Sequence, residues 1–400
     1  MRCQTPVLPV AALAAAAMLF AGTASFAQET EFQPAQLPGW TVTPGVIASL
    51  AFDDNVALAP ELAAQPAAQG ATMLVIEPSG QLAFNGPRTR FDSGYRGYLR
   101  RYVNLDELNS FDQRGYGSLH HWLTRRHAIF LTETFMKVPS TDELELNGVP
   151  FARIGSKSNT LAGGLDSRLT RQLDFHVRYD LTWVGFDHTQ SLLRTGLFHG
   201  LQTEVARRVT ERSSVGAEYA IRLANLNDGT RSLMFQDAGA TFRYETGPQT
   251  SVHLAGGFSH LIDRTLSVSR TGPFVRADIS HHLQRATLGA GFSREFVPTF
   301  GFGGSSESES FRAYITMPIS RNRIYLQQSA SWRRTNPLIV TSPALDSWWL
   351  HSTVGYSMSR WLRAEGFYTF ARQDTKIAGG LINRNRIGAQ IAIAQPMRIP

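Results

Sequence analysis

From Arg90 onward the chain alternates. Phe91, Ser93, Tyr95, Gly97, Leu99 and Val103 take one set of positions, and Arg90, Asp92, Gly94, Arg96 and Arg100 the other. A period of two marks a strand with one apolar and one polar side. It returns in Leu173 to Trp183, where Leu173, Phe175, Val177, Tyr179, Leu181 and Trp183 alternate with Asp174, His176, Arg178, Asp180 and Thr182. Val215 to Leu223 repeats it. Strands of soluble sandwiches usually run about five or six residues. These run to about ten, the length a tilted strand needs to cross a bilayer. The same reading from Val46–Phe52 to Asn383–Ile393 predicts an even number, about 16 to 18 strands.

The strands are punctuated. Leu123-Thr124-Arg125 has relatives at Leu169-Thr170-Arg171, Val209-Thr210-Glu211-Arg212, Leu283-Gln284-Arg285, Ile319-Ser320-Arg321 and Met358-Ser359-Arg360, with Glu245-Thr246-Gly247-Pro248 filling the gap. Recurrence at intervals of roughly 36 to 46 residues signals a repeated supersecondary unit, here two strands and the connection between them. The punctuated connections are short. Those between them (139–157, 187–195, 263–271, 298–309 and 335–346) read as longer. Backbone groups inside a bilayer must pair internally, so spanning strands must close on themselves. The predicted fold is therefore all-β, a transmembrane antiparallel up-and-down β-barrel with short periplasmic turns and longer extracellular loops.

The rest of the sequence refines this picture. Arg2, the Ala-rich run Val7–Gly22 and Ser25-Phe26-Ala27 form a secretory signal, with cleavage expected near Ala27. The expected organisation is a signal peptide over 1–27, a periplasmic lead over 28–43 and a barrel over 44–400. Cys3 is the single cysteine and falls in the leader, so the remainder holds no thiol chemistry. The formal charge is +7, but the arginines are spread one or two per strand instead of forming the patch a nucleic-acid binder needs. Trp122 and Trp361 sit beside punctuation turns, and Trp183, Trp332, Trp348 and Trp349 beside the other connections. All six are expected at membrane interfaces, where an apolar ring with one N–H donor is favoured.

Inside a closed barrel the polar faces line the lumen. Its expected cations are Arg90, Arg96, Arg100, Arg114, Arg168, Arg178, Arg222, Arg276, Arg294, Arg312, Arg363, Arg384 and Arg386. The expected carboxylates are Asp92, Asp174, Asp180, Glu218, Asp278 and Glu365. Cross-strand ion pairs explain most of them, and a mildly basic passage favouring anionic or sugar-rich solutes is the functional reading. Catalytic candidates are His120-His121, His281-His282, His176 and Ser280. Neighbouring strand residues point to opposite faces, so a His-His doublet cannot chelate one ion, and no spacing selects a triad. Asp53-Asp54-Asn55 offers oxygens to a hard cation but equally ends a strand. No enzyme activity, cofactor or metal is expected.

Pro44-Gly45-Val46 through Phe52-Asp53-Asp54-Asn55-Val56, followed by long alternating strands and Thr-Arg turns, resembles an outer-membrane β-barrel (porin-like) family associated with exopolysaccharide biosynthesis and export clusters in proteobacteria. The resemblance implies a place in the outer membrane of a Gram-negative bacterium, contact with its lipid, and passage of polysaccharide or small polar solutes, with periplasmic export components as partners. A monomer is expected, without nucleic acid. Two alternatives stay open: an outer-membrane hydrolase or lipid-modifying enzyme, and a plugged structural or adhesive barrel.

Overall fold

The structure is a computed structural model, and it describes residues 38–60, 69–187, 193–226, 229–247, 249–320, 323–338, 343–375 and 380–399. The leader over 1–27 lies outside them. Eighteen long strands follow one another: β1 Gly39–Asp53, β2 Ala71–Asn85, β3 Thr89–Tyr102, β4 Ser110–Trp122, β5 His127–Val138, β6 Ser156–Arg168, β7 Leu173–Phe186, β8 Gly196–Arg208 and β9 Ser213–Leu226. The second half comprises β10 Arg231–Thr246, β11 Thr250–Asp263, β12 Val268–His282, β13 Thr287–Thr299, β14 Gly304–Ser320, β15 Ile324–Pro337, β16 Leu345–Ser357, β17 Leu362–Thr375 and β18 Gly380–Ala394. A short β19, Met397–Ile399, pairs with Trp40–Val42. Each strand pairs antiparallel with the next, and β18 pairs with β1 over Gly45–Asp53, closing the barrel. The first strand begins at Gly39, ahead of the Pro44 expected.

The Thr-Arg marks are turns held by their own side chains. Thr124 Oγ1 accepts the N–H groups of Arg126 and His127 at 3.1 Å. Thr170 does the same for Gln172 and Leu173, and Thr210 for Arg212 and Ser213. A hydroxyl two residues back mimics a turn carbonyl, which is why Thr or Ser recurs there. All these turns lie at the rim shared by the start of β1 and the end of β18. The opposite connections are less uniform than expected. The links over 264–267 and 300–303 are four residues each, because β11, β12, β13 and β14 run on through most of 263–271 and 298–309.

Directly opposed residues of an antiparallel pair share a face, so one known face fixes all the others. Asp53 and Arg386 face each other across the closing seam, with Arg384 beside them on the inside. The outside of β1 then carries Val46, Leu50 and Phe52, and that of β18 carries Ile387, Ile391 and Ile393, all exposed. The same parity gives an apolar exterior around the wall.

Glycine has a particular use on the inner face. Five inner glycines sit directly opposite an aromatic ring: Gly94 and Tyr116, Gly164 and Phe130, Gly289 and Tyr314, Gly355 and Tyr325, Gly388 and Phe367. In each case a Cβ on the glycine would collide with the ring. Large rings lie flat along the inner wall because their neighbours have no side chain.

Candidate functional site

The extracellular half of the lumen is filled from two directions. One filling element is the segment over 139–155 between β5 and β6, which carries a single 3-10 turn, Thr141–Leu144. Its carboxylates reach across to the wall. Glu143 receives Arg100 of β3 at 2.6 and 2.8 Å and Arg114 of β4 at 3.1 Å. Asp142 receives Arg384 of β18 at 2.6 Å, while the same guanidinium holds Asp53 of β1 at 2.7 Å. Burial alone would raise the Glu143 carboxyl, but Arg100, Arg386 and Arg114 together hold it well below the ordinary glutamate range.

Neutral contacts seat the rest of this loop. Gln373 of β17, buried, accepts the Phe151 N–H at 2.7 Å and donates to Val149 O at 3.2 Å. Trp349 donates its indole N–H to Asp142 O and packs against Phe151, and Arg333 donates to Glu145 O. A backbone with no ladder partner must find its hydrogen bonds elsewhere, and here side chains of the opposite wall supply them. A polar cavity of about 30 Å³, room for about one water, lies between Glu145, His351 and the wall residues Arg312, Tyr314, Ser329 and Ser331.

The second filling element is the top of the β13–β14 hairpin. Ladder pairing of β12 with β13 stops at Val275 and Arg294. Beyond that point Glu295–Thr299 pair with β14 alone among the described strands. Glu295 meets Arg222 of β9 at 3.1 Å, and Arg222 also donates to Phe296 O at 3.1 Å. The tip bridges Arg194 through Gly301, and Gly303 O accepts Arg231 of β10 at 2.8 Å. This tip, the inserted loop and Leu193 form a buried apolar cluster with Val184, Leu226, Phe235 and Leu261. The other half of the lumen is lined by polar residues such as Asp92, Arg96, Asp166, Asp278 and Glu365.

The expected lumen residues divide cleanly. By strand parity Arg90, Asp92, Arg96, Arg100, Arg114, Arg168, Asp174, Arg178, Asp180, Glu218, Arg222, Arg276, Asp278, Arg312, Arg363, Glu365, Arg384 and Arg386 are on the inner face. Arg294 is not: opposite Val275 it faces outward, where Glu307 holds it at 2.6 Å. Most inner guanidiniums are consumed by carboxylates, among them Arg178 with Asp180 at 2.7 Å, Arg276 with Glu218 at 3.2 Å and Arg312 with Asp278 at 2.9 Å. The inner face is therefore a mosaic of paired charges, not the basic passage that the arginine count suggested.

Two of the expected interface tryptophans also face inward. Trp122 lies under Arg90, 5.4 Å from ring centre to guanidinium carbon, and against His120. Trp349 is 5% exposed beneath the inserted loop. Adjacent Trp348 faces out and packs on Trp332, their ring centres 6.0 Å apart. Trp183 and Trp361 are exposed as well. Trp40, which sequence reasoning passed over, completes the outer aromatics at the punctuated rim with Phe84 and Phe91.

The catalytic candidates are drawn into the wall. His176 pairs with Asp166 and stacks on Phe130, His281 bonds Thr250, and Ser280 bonds Ser251. Asp53, Asp54 and Asn55 do not gather their oxygens round one point. Asp53 takes Arg384, Asp54 takes Asn385, and Asn55 ties Ala59 to Asn383 O.

No family model matches the sequence, and no curated protein does. Among solved structures the chain is similar to the outer membrane protein OpdK of Pseudomonas aeruginosa, at 9% identity over 89% of this chain and 99% of that one, with a TM-score of 0.45. Acinetobacter baumannii OccAB4 gives 8% identity over 92% and 100%, with a TM-score of 0.46. Pseudomonas aeruginosa OpdQ gives 10% over 90% and 98%, with 0.45.

Proposed function

We propose that the chain is a porin-like channel of the outer membrane of a Gram-negative bacterium, reached by way of a cleaved signal peptide, that passes hydroxyl-rich polar solutes such as saccharides. The observation that carries this reading is the division of the wall. Apolar side chains cover the outside, and paired charges interleaved with flat-lying aromatic rings line the inside. Paired guanidiniums offer hydrogen-bond donors without a strong net field, and tyrosine faces such as Tyr116, Tyr314 and Tyr325 suit the apolar faces of sugar rings better than they suit small anions. The exopolysaccharide role implied by the family resemblance falls within this class, as the passage of a longer chain of the same chemistry. The inserted loop over 139–155 is the constriction.

The test is conductance of the folded protein in a planar bilayer, with oligosaccharides added on one side. Open-channel current that saccharides interrupt, with weak selectivity between chloride and potassium, is the expected result. A folded barrel that carries no current would sink the reading. One specific observation favours a rival, a permanently plugged structural barrel: the dry apolar cluster across the extracellular half. The same recording separates the two.

A further inference from the structure

The seam between β12 and β13 carries an inference that rests on the channel reading and deepens it. Below the seam the two strands pair in the ordinary way, from His282 opposite Thr287 up to Val275 opposite Arg294. Above it, β12 continues through Phe274 to Val268 and pairs only with β11 among the described residues. β13 has left the wall. Its upper part comes close to β11 and β10, two and three strands away, which is possible only from inside the barrel.

Phe296 shows the displacement most directly. On β13 it shares a face with Phe292 and Arg294, which point outward. Yet its ring fills the space over Gly272, a residue on the inner face of β12, and it is 5% exposed. The hairpin has slid beneath its neighbour. In the five inner glycine–aromatic pairs the ring comes from the residue opposite in the ladder, whereas here no ladder joins the two.

The two unpaired stretches match. Continuing the existing register would set Phe274 opposite Glu295, Gly272 opposite Val297 and Arg270 opposite Thr299, so the free part of β12, 268–274, is long enough to take the whole detached part of β13, 295–299. The faces match too. Paired in this way, Phe296 would face the exterior opposite Pro273, whose partner on β11, Phe258, is 70% exposed, and Glu295 would stay inside within reach of Arg276, which it already meets at 3.7 Å. Toward β12 the hairpin has no ladder: the top of β13 is held inside by Arg222 and Arg231, by the bridge of Gly301 to Arg194 and by the apolar cluster, while β14 stays laddered to β15.

We propose that the top of the β13–β14 hairpin is a gate, tucked into the lumen in the closed state and zipped onto β12 in the open state, where it completes the wall and clears the extracellular half. The apolar cluster is then the closed seat of a moving part. A free strand edge is a liability that proteins cover, and zipping covers it.

Two engineered cysteine pairs test this, and the only native cysteine, Cys3, lies outside the described residues. N147C/S308C joins the hairpin to the inserted loop where Ser308 and Asn147 meet at 3.2 Å, locking the tucked state. R270C/T299C can join only if the strands zip. Mild oxidation of the folded, bilayer-competent protein is followed on gels and by conductance. The expected result is that both pairs cross-link, that N147C/S308C lowers conductance at least fivefold, that R270C/T299C raises it, and that reductant reverses both changes. Should R270C/T299C fail to fold, G272C/V297C, the neighbouring pair in the same register, replaces it. A folded R270C/T299C barrel that never cross-links overturns the gate, as does complete N147C/S308C cross-linking without any change in current. Cross-linking of R270C/T299C in a protein that conducts in no state would uphold the movement and remove the channel reading instead.

Discussion

Arg100 and Glu143 meet as two parallel hydrogen bonds of 2.6 and 2.8 Å that join a wall strand to the loop crossing the lumen. A bidentate guanidinium–carboxylate pair fixes direction as well as distance, so this contact sets where the constriction sits. Glu143→Gln keeps the shape and removes the charge. Breaking a buried pair typically costs about 3–5 kcal/mol, reduced here because Arg100 keeps Asp112 at 2.7 Å. Faster proteolysis within 139–155 and a larger, noisier current are expected, with the barrel itself intact by heat-modifiability on gels.

The same carboxylate predicts a pH dependence. Its folded value lies well below the ordinary 4.5, so its contribution to seating the loop is fully present above that value and is lost as pH falls through the depressed one. Loop protection measured by hydrogen exchange should be flat from neutral pH down to about 5 and weaken in more acidic solution. Glu143→Gln should flatten the acid limb; an unchanged limb in that variant would assign it to other groups.

Gln373 tests the neutral seating. Gln373→Leu leaves the Phe151 N–H without its acceptor in a buried place, a loss of about 1–3 kcal/mol. Loop opening should become more frequent in single-channel records, whereas Gln373→Glu, which retains the acceptor, should rescue part of it.

The inner glycines give a stability prediction with an internal control. Gly355→Ala forces Tyr325 from its place and should destabilise the barrel by about 1–3 kcal/mol. On the outer face of β4, a Cβ at Gly117 meets nothing within 4 Å, so Gly117→Ala should be neutral, or stabilising by about 0.5–1 kcal/mol. Urea unfolding in detergent measures both.

The wall was legible because one rule, two-residue alternation, governs a strand that has an apolar exterior on one side and a lumen on the other. The turns were legible because in most of them a hydroxyl at one fixed position accepts the turn's own N–H groups. What fills the lumen was not, since parity says nothing of contacts between distant strands. Arg294 read as a lumen residue because it is charged, although alternation sets it on the outward face of Leu288, Ala290 and Phe292. A signal was present at Phe296-Val297-Pro298-Thr299-Phe300, where alternation gives way to a nearly continuous apolar run, the pattern of a strand buried on both faces. Trp122 and Trp349 misled for a related reason. Position at a strand end gives the height of a tryptophan along the barrel, but only parity gives its side.

The closing seam imposes an order of events on the nascent chain. Arg384 and Arg386 belong to β18, the last long strand to be made, and they clasp Asp53 from the first and Asp142 and Glu143 from the inserted loop. Asp53 and Asp142 have no such partners until the final strand docks, whereas Glu143 already holds Arg100 and Arg114. Circularisation and the last clasp on the inserted loop are therefore one step in assembly, and a chain stalled before β18 waits with an open sheet and an Asp142 carboxylate still without its guanidinium.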